Sequence, residues 1–203
     1  MKSFYLKNIF FCVLATAIFS GCVDDDDTAI PSSESVIFSE RFEGATHNAV
    51  LDFEFWTNYS EAGTVLWKTR EFDDNYYAEF TSYQSNEASN IAWMITPAIP
   101  LEENNNSFLK FAVAQSFVSS ASNSLQVLIS TDYDGTNVET ATWTEVDANI
   151  PDADAEYYKF YDSGAISLAN FSGDVYIAFK YTGSGTNTSL DGTYQIDEIT
   201  VYN

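Results

Sequence analysis

Aromatic rings set beside carboxylates and amides are the residues of this sequence best suited to chemistry, and that chemistry is the recognition of sugars. The flat C–H faces of a sugar stack on Trp and Tyr, while Asp, Asn, Gln and Arg take its hydroxyls. In Leu51-Asp52-Phe53-Glu54-Phe55-Trp56 the apolar phase is 51, 53 and 55, which sends Trp56 outward with Asp52 and Glu54, and Tyr59 follows closely. Trp56, Tyr59, Arg70, Asp74 and Tyr83 are the candidate ligand-binding residues, on the expectation that loops at one end of a sandwich gather them. Packing of Trp56 and Tyr59 at a sheet edge is the competing reading. Tyr76, Tyr77, Tyr157, Tyr158 and Tyr161 add amphipathic rings, and Trp67 and Trp93 are assigned to the core.

Catalysis is poorly served. His47 is the only histidine, in the polar run Thr46-His47-Asn48, and no Gly-x-Ser-x-Gly elbow accompanies it. A zinc site lacks its His/Cys cluster. A glycosidase needs only two acids flanking the scissile bond. Glu54, Glu79 and Glu87 lie near aromatic residues, but among 30 Asp and Glu suitable pairs arise by chance, so the chain is read as a non-enzyme. Asp132-Tyr133-Asp134-Gly135-Thr136-Asn137 lacks the third early ligand and distal Glu of an EF-hand and reads as a turn.

The 203 residues carry a formal charge of −22, which excludes nucleic acid as a partner because phosphate binding relies on clustered Lys and Arg. With 45% hydrophobic and 16% aromatic residues the chain holds ample material for a packed core. Lys2, Lys7 and the apolar run 9–19 form a leader too short to span a bilayer as a helix. Ser20-Gly21-Cys22 follows it and resembles a bacterial lipobox, with Phe19 in place of the usual Leu. The expected organisation is therefore a signal peptide over 1–21, lipidated Cys22 with an acidic tether over 22–35, and one domain over 36–203. Asp24-Asp25-Asp26-Asp27 cannot join a core and resembles an export signal to the outer face of the outer membrane, so the membrane is met through the lipid anchor alone. Cys12 leaves with the leader, and the folded domain has neither disulfide nor free thiol.

Short apolar runs separated by Gly, Asn, Asp and Ser predict strands at 36–43, 50–56, 64–70, 76–83, 90–96, 107–115, 124–130, 142–147, 157–167, 174–181 and 193–202. Many short strands without helical periodicity indicate an all-β fold, an antiparallel sandwich or jelly roll. Ile91-Ala92-Trp93-Met94-Ile95, Leu125-Gln126-Val127-Leu128-Ile129 and Tyr176-Ile177-Ala178-Phe179-Lys180-Tyr181 are apolar in both phases, as in central strands packed on two sides. In the last strand Ile196 lies on the opposite phase from Ile199 and Val201, which predicts a bulge near Asp197-Glu198.

Asn86-Glu87-Ala88-Ser89-Asn90-Ile91-Ala92-Trp93-Met94-Ile95-Thr96-Pro97-Ala98-Ile99 resembles the "NEAWLITPAI" signature of choice-of-anchor J and DUF5017-type domains. Ser130-Thr131-Asp132-Tyr133-Asp134-Gly135, Ala141-Thr142-Trp143-Thr144, 175–181 and Tyr194-Gln195-Ile196-Asp197 fit the same pattern in order. The resemblance implies a jelly-roll sandwich similar to galactose-binding and MAM-like or cleaved-adhesin domains. It also implies a structural calcium ion between the first and last strands, where Glu40 or Glu43 and Asp197 stand. Acidic strand ends facing water are the alternative. The functional expectation is a surface binding module for glycan; an adhesin or assembly subunit binding a surface protein is the second.

Overall fold

The computed structural model describes residues Glu34–Asn203. The leader, Cys22 and the tether as far as residue 33 lie outside the described residues. Ser35, assigned to the tether, exchanges backbone hydrogen bonds with Asn203 and so already belongs to the sandwich.

Thirteen strands form two antiparallel sheets, with no helix among the described residues. The first sheet, sheet A, has seven strands: β1 (Val36–Glu40), β3 (Lys68–Phe72), β4 (Asn75–Thr81), β7 (Phe108–Ser116), β10 (Tyr161–Asp162), β11 (Ile166–Ser167) and β13 (Thr193–Tyr202). Its order is β10-β7-β13-β4-β3, with β1 on β13 and β11 on β7. The second, sheet B, has six: β2 (Thr57–Ala62), β5 (Asn90–Ile95), β6 (Ile99–Leu101), β8 (Ser124–Ser130), β9 (Thr144–Val146) and β12 (Gly173–Gly183). Its order is β2-β5-β12-β8-β9, with β6 on β12. This is the jelly-roll sandwich that the strand pattern implies.

Strands apolar in both phases serve two clusters. Ala92, Met94, Val127, Ile129, Ile177 and Phe179 enter the main core between the sheets. Their alternates Trp93, Ile95, Leu128 and Ala178 pack outward against Tyr133, Val138 and Trp143 of the β8–β9 connection. That connection is fastened by Tyr133 Oη to Thr57 Oγ1 at 3.0 Å and by Trp143 Nε1 donating to the Val138 carbonyl at 2.9 Å. Sheet B is therefore covered over part of its outer face, while Lys68, Arg70, Lys110 and Thr200 on the outer phase of sheet A retain access to water. The Asp132–Asn137 stretch is the expected turn, with Gly135 at φ 83° and Asp134 Oδ1 accepting from the amides of Thr136 and Asn137.

Three expectations need correction. Residues 50–56 are not a strand: Leu51 is buried, but the backbone turns at Phe55 (φ 66°), leaving that side chain 77% exposed. The turn reverses the alternation, so Trp56 lands inside, against Phe38 and Phe42. β2 was not anticipated because Thr57-Asn58-Tyr59-Ser60-Glu61-Ala62 is a polar edge strand with no apolar phase. The strand expected over 157–167 is two short ones, β10 and β11, separated at Gly164 (φ 77°). The bulge in β13 is present: its register against β7 shifts between Asp197 and Thr200, and Glu198 has φ 51°. It lets Ile196, Ile199 and Val201 all point into the core.

Candidate functional site

The bulge shapes a cleft of about 450 Å³ on the outer face of sheet A. Ser39 of β1 lies opposite Thr200 of β13, which lies opposite Lys110 of β7, forming one cross-strand row. Asp197, Ala112 and Asp162 of β10 form the next. Between them the bulge turns Glu198 to solvent, where its Oε1 accepts from Arg41 Nη2 at 2.7 Å.

Arg41 is placed by the end of β1. Glu40 Oε1 accepts from the backbone amides of Arg41 (2.9 Å) and Phe42 (2.6 Å), and Phe42 takes φ 56°. The Phe42 ring is thereby buried against Phe53 and Trp56, while Arg41 remains on the cleft side. Phe160 and Tyr161 line the opposite wall. Phe160 meets Tyr77 edge-on with centroids 5.6 Å apart, and Tyr161 Oη accepts from the Glu156 amide at 3.2 Å. Burial pushes the Tyr77 phenol above its ordinary range. Asp162 Oδ1 accepts from the Gly164 amide at 2.7 Å, and Lys110 Nζ stands 5.0 Å from the Tyr202 ring centre. Cationic donors, carboxylate acceptors, hydroxyls and aromatic walls thus share one concavity of ligand size.

The five residues proposed from sequence are not brought together. Trp56 packs against the main core; Tyr59, on sheet B, donates to Glu139 Oε1 at 2.6 Å and packs on the outer cluster. Arg70 lies on the outer face of sheet A, clamped to Glu79 Oε1 at 2.7 Å and donating to Asn48 at 3.0 Å. Asp74 sits in the β3–β4 turn at φ 62°, and Tyr83 is exposed beyond β4. Their separation follows from the turn at Phe55 and from β2 and β3 joining different sheets.

Of the calcium candidates, Glu40 caps the end of β1, Glu43 is exposed, and Asp197 is buried at 5% exposure. Asp197 Oδ1 accepts from the Glu198 amide at 2.6 Å. Desolvation raises its pKa from 3.8 to about 6, with Glu198 adding to the rise while hydrogen bonds and Arg41 oppose it. Among the described residues no three His, Cys, Asp or Glu side chains converge, so a cation here would draw most of its ligands from backbone carbonyls and water. Two of the three conceivable catalytic acids are otherwise engaged: Glu87 accepts from the Thr64 amide and from Asn90, which hold its carboxyl below the usual range, and Glu79 is bonded to Arg70 and Gln195, while Glu54 is exposed. His47 Nδ1 accepts from the Glu71 amide in an exposed loop.

Residues 100–203 match the family described as "Domain of unknown function (DUF5017)", a stretch that carries β7, β10 and β13 and so most of the cleft. The chain belongs to the DUF5017 family. The 86–99 motif lies ahead of the matched stretch of this DUF5017 protein. Its fold is similar to the K2 cleaved adhesin domain of Lys-gingipain, at 14% identity and TM-score 0.54, covering 82% of this chain and 97% of that one. The K3 cleaved adhesin domain of Lys-gingipain from Porphyromonas gingivalis is similar at 15% identity and TM-score 0.51, covering 83% and 100%. The CBM22-1 xylan-binding domain from Paenibacillus barcinonensis Xyn10C aligns at 16% identity and TM-score 0.47, covering 84% and 95%. No curated protein matches the sequence.

Arg41, Lys110, Phe160, Asp162 and Glu198 were not singled out from sequence. Lys110, a charge between Leu109 and Phe111 on the outer phase of an otherwise apolar strand, was the available signal.

Proposed function

We propose that this DUF5017 domain is a non-catalytic binding module for carbohydrate, held at the outer surface of the outer membrane by lipid on Cys22. The observation that carries the binding reading is the cleft itself, where Arg41 and Lys110 can donate, Asp162 and Glu198 can accept, and Phe160 and Tyr161 offer ring surface. Mass spectrometry of the mature protein tests the lipid, and an unmodified Cys22 thiol would refute it.

Affinity electrophoresis on gels loaded with soluble xylan, galactan, mannan or homogalacturonan tests the ligand class. We expect retardation on at least one, and at least a tenfold affinity loss, about 1.4 kcal/mol, for Lys110→Ala and for Tyr161→Ala, with little change in melting temperature. Free migration on every gel counts against carbohydrate. The alternative, a surface adhesin, draws support from β2, whose position at the end of its sheet leaves one edge open to strand addition. A stable protein partner in pull-downs, with no glycan retained, would favour it.

Calcium at the β1–β13 junction belongs to the same proposal. A carboxylate as buried as Asp197 is costly when ionised, and a hard cation would relieve that cost, with Glu40 or Glu43 as the neighbouring acid.

A further inference from the structure

A second group of aromatic side chains lies beside the cleft. Phe117, Tyr157 and Tyr158 are 56%, 47% and 56% exposed, an unusual state for three neighbouring large rings. Phe117 stands 4.9 Å from Tyr157 and 6.2 Å from Tyr158 between ring centres. Phe117 and Tyr158 both occupy the left-handed backbone region, at φ 59° and 61°, which bulky side chains rarely adopt. Such a conformation persists only where the surroundings impose it.

The surroundings that impose it centre on Gln115. This side chain is fully buried, yet it spends both ends of its amide on the loops that bear the rings. Its Nε2 donates to the Ala155 carbonyl at 2.9 Å, and its Oε1 accepts from the Val118 amide at 3.2 Å. The Gln115 backbone carbonyl accepts from the Tyr158 amide at 2.9 Å. One residue at the end of β7 therefore pins both loops and holds their rings in contact at the surface.

Continuity indicates the occupant. Tyr158 sits in a turn two residues before Phe160 and three before Tyr161 of the cleft wall, so along the chain it is at most about 7–11 Å from the cleft. Resting on the carbohydrate reading above, we infer that Phe117, Tyr157 and Tyr158 form an outer subsite continuous with the cleft. The module then grips a polysaccharide along its length rather than a terminal sugar. The rings are tilted rather than coplanar, which suits a twisted polymer whose successive units present different faces.

The test uses the polysaccharide retained from the four-member panel together with its di- to hexasaccharides, titrated calorimetrically against wild type, Phe117→Asn/Tyr158→Asn and Lys110→Ala. Asparagine tolerates the left-handed region, so the double variant should melt no lower than wild type, and its binding can be read without a folding defect. Wild-type affinity should rise at least tenfold from disaccharide to hexasaccharide. The double variant should lose that rise while keeping wild-type disaccharide affinity, and Lys110→Ala should weaken every length. A double variant that follows wild type at all lengths overturns the ledge and leaves the cleft standing. Binding lost at every length in the double variant but retained in Lys110→Ala overturns the cleft as the principal site and the ledge as its extension. Wild type retained by none of the four polysaccharides overturns both readings.

Discussion

Trp67→Ala will lower the stability of the domain by about 3–5 kcal/mol, the range for removing a buried aromatic side chain. Trp67 is fully buried just ahead of β3, yet its ring belongs to neither sheet alone. On one side its centroid lies 5.7 Å from Phe80 of β4 in sheet A; on the other its Nε1 donates to the Ala92 carbonyl of β5 in sheet B at 3.4 Å. Its backbone is held too, with the amide donating to Asn58 Oδ1 and the carbonyl accepting from Asn58 Nδ2 and the Leu51 amide. These backbone bonds fix the position of residue 67, so the sheets cannot close fully over the missing ring and a cavity remains. For a domain of this size the loss corresponds to about 10 °C in melting temperature. Trp67→Phe should recover much of it. Chemical denaturation of the three proteins measures the effect, and a loss below about 1 kcal/mol for Trp67→Ala would show that the ring does not hold the sheets together.

Trp67 and Trp93 illustrate what the sequence made legible. Both were assignable to the interior because they sit in or beside apolar runs, and both are buried. Periodicity could not say that Trp93 enters the outer cluster rather than the space between the sheets, because a strand apolar in both phases names no preferred face. The β13 bulge was legible for the opposite reason. Ile196, Ile199 and Val201 cannot share one face without it. The cleft was not legible, because it is assembled by register. Ser39, Lys110 and Thr200 are far apart in sequence and meet only through the pairing of β1, β13 and β7. The outward placement of Trp56 was misjudged at Phe55, where a left-handed residue that is neither Gly nor Asn breaks the alternation.

Asp197→Asn will stabilise the domain at pH 7.5 in chelator, and the order will reverse in calcium. Burial raises the Asp197 pKa from 3.8 to about 6, so the fold binds a proton that the unfolded chain releases. The group's favourable contribution is complete below about pH 4 and lost as pH rises through about 6. At pH 7.5 the ionised carboxylate therefore burdens the fold, by roughly 1–3 kcal/mol once solvent screening is allowed for. Asparagine keeps an oxygen to accept from the Glu198 amide and carries no charge, so the variant should melt roughly 5–10 °C above wild type at pH 7.5 and level with it near pH 4. A cation bound only by the native state adds stability by mass action, and it would do so in wild type alone if Asp197 is a ligand. Millimolar calcium should then raise wild type above the variant. The two halves of this experiment separate cleanly. A variant no more stable than wild type in chelator at pH 7.5 removes the burden of burial, and parallel curves with and without calcium remove Asp197 from the cation site.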